Sequence, residues 1–180
     1  MFIDEVVMEV EAGRGGDGCM AFLREKYVPM GGPNGGNGGK GADIIFKADE
    51  GLKTLIDLRY MKNIKGAPGN NGEGKNKNGS YAENKIIKVP VGTTVKDFDT
   101  NLVIADLTKH NEEVVVAYGG KGGRGNVTLA TRSNPCPSFA ERGEPGEVRK
   151  IKVELRMLAD VGLVGMPSVG KSTLLSMITN

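Results

Sequence analysis

The residues best suited to chemistry stand near the end of the chain. Gly165, Met166, Pro167, Ser168, Val169, Gly170, Lys171 and Ser172 fit the pattern G-x-x-x-x-G-K-[ST], the loop that cradles nucleotide phosphates. Gly165 and Gly170 let the backbone wrap so that its N–H groups point at phosphate oxygens, and the following helix N-terminus adds positive potential. Lys171 reaches the outer phosphates as a point charge, and the Ser172 hydroxyl is placed to ligate Mg²⁺. The nucleotide-binding set therefore runs from Gly165 through Thr173, with Ser172 as the metal ligand. The flanking segments suit this loop. Residues 160–165 (D-V-G-L-V-G) read as a strand buried on both faces, and residues 173–179 (T-L-L-S-M-I-T) as the start of a helix.

The chain ends nine residues past Lys171. A second Mg²⁺ ligand, switch segments and a base-reading segment are expected further on, over well more than a hundred residues. The expectation is a piece of a longer protein, with residues 1–158 forming one domain and 159–180 beginning a P-loop domain. Asn76-Lys77-Asn78-Gly79 resembles a guanine-reading N-K-x-D only faintly, since Gly replaces Asp and the run precedes the loop. The loop residues leave GTP and ATP both open.

A second chemistry is electrostatic. Arg59, Lys62, Lys65, Lys75 and Lys77 face one acid, Glu73, between residues 59 and 79. Lys121, Arg124 and Arg132 share residues 119–132 with no acid. Lys62, Lys65, Lys75, Lys77, Lys121 and Arg124 are the candidates for binding a polyanionic partner; the plain alternative is a solvated face. His110, the one histidine, sits between Lys109 and Asn111 in a turn and is read as a surface residue rather than a base or metal ligand.

Those cations lie on or beside glycine-rich runs. Gly makes up 28 of 180 residues, about twice the usual share of roughly 7%. Steps of three recur at Gly32/Gly35/Gly38/Gly41, Gly66/Gly69/Gly72, Gly119/Gly122/Gly125 and Gly143/Gly146. Three residues per turn is the polyproline II period, so each run presents a face without side chains. The expectation is a set of short extended arms packed side by side; flexible linkers are the competing reading. Between the arms, alternating apolar segments predict strands at 2–11, 42–48, 54–58, 85–89, 93–97, 101–107, 112–118 and 148–158. Their short spacing suits an antiparallel barrel or sandwich. The predicted class is mainly β: a small barrel or sandwich bearing a bundle of glycine-rich polyproline II-type helices, then the first β-loop-α unit of a P-loop α/β domain. No apolar run approaches the roughly 20 residues of a membrane span. Residues 1–6 lack the basic region of a secretory signal. Cys19 and Cys136 lack metal-ligand spacing, and a reduced, cytoplasmic setting is expected.

Four stretches together carry a family resemblance: F-L-R-E-K-Y-V-P-M-G-G-P-N-G-G-N-G-G-K-G (22–41), G-G-K-G-G-R-G-N (119–126), G-E-P-G-E (143–147) and L-A-D-V-G-L-V-G-M-P-S-V-G-K-S-T (158–173). They resemble the Obg family of bacterial GTPases along the whole chain. The resemblance implies a glycine-rich β domain followed by a GTPase domain. It also implies GTP or GDP with Mg²⁺ at the phosphate loop, hydrolysis in the intact protein, and little activity in these 180 residues alone. The implied partners are the large ribosomal subunit, through its RNA and nearby ribosomal proteins, and guanosine tetraphosphate. Roles in late subunit assembly and stress response follow, with a monomer expected. Members commonly carry basic residues where this chain has Leu23 and Met30, and Asp where it has Asn34 and Asn37. An alternative reading makes the arm domain a protein-interaction module that docks a signalling partner.

Overall fold

Alternation decides the first strand. In β1 (Glu5–Glu11) Val6, Met8 and Val10 are buried while Glu5, Val7 and Glu9 face solvent, as a period of two requires when one face is covered. The computed structural model describes residues 4–24, 31–156 and 172–173. Along the chain follow β2 (Ile44–Asp49), α1 (Ile56–Tyr60), β3 (Asn63–Lys65), β4 (Lys85–Pro90) and β5 (Thr93–Asp97). They are succeeded by β6 (Val103–Leu107), β7 (Glu113–Ala117), α2 (Asn126–Leu129) and β8 (Val148–Leu155).

The strands form two sheets, ordered β3-β1-β8-β5-β6 and β4-β2-β7. Val10, Val95, Leu107, Ile151 and Val153 of the first sheet and Ile44, Phe46, Val89 and Val116 of the second share one core cluster. Each such side chain contributes about 1.5–3 kcal/mol when fully removed from water. β8 lies between β1 and β5 and pairs antiparallel with both, and its Ile151 and Val153 lose all exposure.

Two expectations are corrected. The connections are not purely antiparallel: β1 runs parallel to β3 and β2 parallel to β4. Each parallel pair needs a long crossover, and the glycine-rich segments supply it. Residues 54–58, expected as a strand, instead lead into helix α1. Leu55 and Leu58, three apart, are both buried, and the Leu55 carbonyl accepts from the N–H groups of Leu58 and Arg59. So short an apolar run carries either period, and packing against the core selects the helical turn. β3 escaped notice because its single buried residue, Ile64, sits within a basic run.

The glycine-rich segments are ordered arms. Six occur among the described residues: 12–19, 34–43, 66–73, 76–85, 118–126 and 141–147. Each is continuous with a strand: the first, third and fifth leave β1, β3 and β7, and the second, fourth and sixth enter β2, β4 and β8. They are joined by backbone hydrogen bonds at every third residue. Ala12, Gly15 and Gly18 donate to Glu147, Glu144 and Glu141 of the sixth arm. Gly13, Gly16 and Cys19 donate to Ala42, Gly39 and Gly36 of the second. Gly36, Gly39 and Ala42 in turn donate to Glu73, Asn70 and Ala67 of the third. The first and second arms are central, each bonded to four others. The N–H groups that face neighbouring arms are thereby partnered; left unpaired and buried they would carry a large desolvation cost.

Glycine serves close approach here. Apart from Gly92, no described glycine has positive φ. A methyl group on Gly38 would overlap the Gly16 carbonyl, and one on Gly16 the Asn70 carbonyl, well inside the 3.0 Å that such atoms keep. Side chains close the remaining gaps. Fully buried Asn126 accepts from the Gly35 N–H through Oδ1 at 2.8 Å and donates from Nδ2 to the Ala21 carbonyl at 2.8 Å. This continues the ladder by which Gly38 and Gly41 donate to Gly123 and Gly120.

Candidate nucleic-acid interface

At the far end of the third and fourth arms the chain reverses through Gly74, Lys75, Asn76 and Lys77. Lys75 and Asn76 both have positive φ, at 62° and 55°, the pairing a type I′ turn demands. The Glu73 N–H donates to the Lys77 carbonyl and closes the turn. Lys75 and Lys77 are thus exposed at the tip of the bundle and, among the described residues, form no ion pair.

Lys121 and Arg124 stand on the flank. They are three apart on the fifth arm, so the three-residue step sets them on one face. They form a ridge between two clefts. The first, of about 360 Å³, lies against the second and fourth arms and includes Lys40 and Tyr81. The second, of about 490 Å³, lies against the sixth arm and includes Glu141, Arg142 and Glu144. Arg124 is held by Glu141, with Nη2 to Oε1 at 2.6 Å and Nε to Oε2 at 2.8 Å. That guanidinium keeps the Glu141 carboxyl below its ordinary range, chiefly by hydrogen bonding. Lys40 is anchored by Asp43 at 2.6 Å, whose other oxygen accepts from the Gly119 N–H at 2.7 Å.

Lys62 and Lys65 lie elsewhere, at the sheet end of the third arm. Lys65 is paired with Glu11 at 2.6 Å, and that hydrogen bond raises its pKa. Lys62 borders an open groove of about 860 Å³ that also carries Asp4, Glu5 and Glu9, so the local charge is mixed. The six candidate cations therefore occupy three places: tip, flank and base. Sequence reasoning passed over Lys40 and Arg142. Neither falls in a basic run, and only the folding of six arms into one bundle brings them beside Lys121 and Arg124.

His110 is exposed, as expected, and its Nδ1 accepts from the Glu50 N–H at 3.3 Å. Among the described residues no group of His, Cys, Asp and Glu could hold a metal ion. Gly165 through Lys171, the strand expected at 160–165 and residues 174–179 of the expected helix lie outside the described residues. Ser172 and Thr173 have helical backbone and exposed side chains. No helix among the described residues is long and apolar enough to cross a membrane.

Comparison with known proteins decides the family. The family profile described as GTP1/OBG matches residues 3–157. The chain belongs to the GTP1/OBG family. The proteins named GTPase Obg from Bacillus licheniformis and Geobacillus kaustophilus are 58% and 60% identical to it over 180 and 179 residues. That of Leuconostoc mesenteroides is 56% identical over 179 residues. These alignments cover 99–100% of this chain and 41–42% of each relative, so the chain spans about two fifths of the length of the curated relatives it matches. The Obg match takes in both sheets and all six arms, so the bundle lies within the region that defines the family.

Proposed function

We propose that the chain is the N-terminal part of a ribosome-associated GTPase whose glycine-arm bundle docks on the large subunit. The supporting observation is the 58–60% identity to proteins named GTPase Obg over essentially the whole chain. The aligned region takes in the phosphate-loop motif, so Gly165 through Thr173 would hold the β- and γ-phosphates of GTP, with Lys171 compensating their charge. The Ser172 hydroxyl is a hard oxygen donor of the kind Mg²⁺ accepts. When bound, Mg²⁺ would neutralise charge on the outer phosphates. Residues 1–158 would form the docking domain and 159–180 the beginning of the GTPase domain, in a cytoplasmic protein active in subunit assembly and responsive to guanosine tetraphosphate.

We further read the arms as polyproline II-type helices. Donors and acceptors recurring at every third residue support this, as that is the period of such a helix. Arms of this kind are thin, and six in a bundle make a stiff probe able to enter a crevice in folded RNA. Cations at its tip and flank would pair with phosphates, giving recognition mainly of shape and backbone. The test is co-sedimentation of the chain with purified large subunits across a salt series. Binding that falls steeply with salt is expected; binding indifferent to salt, or none at low salt, refutes docking by the bundle.

One observation favours a second reading. Met20, Phe22, Leu23 and Phe139 are 36–54% exposed on the segments that join the arms at their far ends. Such a group suits an apolar protein surface, and a partner held there would bind with little dependence on salt.

A further inference from the structure

The flank cleft contains one feature that phosphate pairing leaves unused. Tyr81 is 78% exposed and stands where the fourth arm faces the fifth, in a cleft shared with Asn37, Lys40, Lys121 and Arg124. Three cations and no carboxylate line the cleft, although Arg124 and Lys40 are engaged by Glu141 and Asp43 behind it. Among the described residues Lys121 forms no ion pair. Gly38 and Gly122 leave the floor without side chains, and a methyl on Gly122 would overlap the Gly38 carbonyl. The backbone around the ring is fixed on both sides: the Asn70 N–H donates to the Ser80 carbonyl at 3.1 Å, and the Ala82 N–H to the Lys40 carbonyl at 2.9 Å. A largely exposed aromatic side chain thus stands in a cleft with a bare backbone floor and cationic walls.

We propose that this cleft takes one unstacked nucleotide of single-stranded RNA, its base lying on Tyr81 and its phosphate between Lys121 and Arg124. The inference rests on the reading of the bundle as an RNA-binding surface and adds base stacking to it. Aromatic rings stack on any base, so the cleft selects for single-stranded character more than for sequence. A duplex keeps its base faces covered and can offer the cleft only its phosphates. An acidic peptide would satisfy the cations but would leave the ring without a planar partner.

The experiment measures binding of a labelled oligouridylate of about twelve nucleotides, and of an RNA duplex of similar charge, to the chain and its variants. Tyr81→Ala is expected to weaken the oligouridylate roughly tenfold while leaving the duplex unchanged, and Tyr81→Phe to retain affinity, because stacking needs the ring and not the hydroxyl. Lys121→Ala is expected to weaken both RNAs and to lower the salt slope by about one. Since Tyr81 is exposed, its variants should unfold at the same urea concentration as the parent. Undiminished oligouridylate binding by Tyr81→Ala overturns the cleft assignment. So does a polyglutamate that competes as well as the oligouridylate. If large subunits still bind with a steep salt dependence in that case, the bundle reading survives and only the cleft falls. If that salt-dependent binding is absent as well, both readings fall.

Discussion

Gly38 and Gly32 are the same residue type in the same run, yet they carry opposite burdens. A methyl on Gly38 would run into the Gly16 carbonyl, whereas one on Gly32 meets nothing within 4 Å. Gly38→Ala is therefore expected to lower stability by about 3 kcal/mol or more, because the obstacle is backbone shared by two arms and cannot turn aside. Gly32→Ala should stay within about 0.5 kcal/mol of the parent. Urea denaturation of the two variants checks the pair; equal effects would mean that the arms are not packed by backbone approach. Asn126 shows the complementary case. It is fully buried and each of its polar side-chain atoms is partnered, so it acts as a rung of the ladder made from a side chain.

The strands are tied together across their exposed faces by charge. Lys96 of β5 reaches Glu154 of β8 at 2.5 Å, and Lys152 of β8 bridges Glu154 at 2.9 Å and Glu5 of β1 at 3.0 Å. The result spans three adjacent strands of one sheet. The hydrogen bond from Lys96, and then that from Lys152, holds the Glu154 carboxyl below its ordinary value of 4.5. Glu154 and Glu5 in turn raise the Lys152 ammonium above 10.5. A lowered carboxyl pKa stabilises the fold fully above the unfolded value and is lost as pH falls through the folded one. The raised ammonium works in the other direction, stabilising below its unfolded value and losing effect as pH rises through the folded one. Glu154→Gln should thus be less stable than the parent at neutral pH, with the difference shrinking as pH drops below 4.5. Thermal melts in a pH series measure this, and a constant difference across the series would refute the assignment.

Every arm is continuous with a strand and hydrogen-bonded to its neighbours, so the bundle is tied directly to the sheets. The proposed docking then depends on place rather than on total charge. Lys75→Glu with Lys77→Glu changes the tip; Lys62→Glu with Lys65→Glu makes an equal change of charge at the base, where Lys65 is already neutralised by Glu11. The tip pair is expected to weaken large-subunit binding and to reduce the salt slope by about one per lost phosphate contact. The base pair should alter binding little. Subunit co-sedimentation of the two double variants distinguishes place from charge, and equal losses would show that only net charge matters.

The alternation in β1 and β8 and the three-residue glycine step were legible in the chain, since each is a local pattern with a local cause. The phosphate-loop motif is likewise a contiguous pattern, but Gly165 through Lys171 lie outside the described residues. α1 was misread because Leu55 and Leu58 lie in a run too short for period to choose between strand and helix, and only the core they pack against makes the choice. The parallel pairing of β1 with β3 and of β2 with β4 was hidden, because nothing local records which strand a long crossover returns to. The interface shows the same division. The basic runs identified six cations, but their separation into tip, flank and base, and the meeting of Lys40, Tyr81, Lys121 and Arg124, depend on arms far apart in sequence lying side by side. The residue types of the arms state that backbones will approach closely; which backbones meet is decided by carbonyls and N–H groups finding partners across the whole bundle at once.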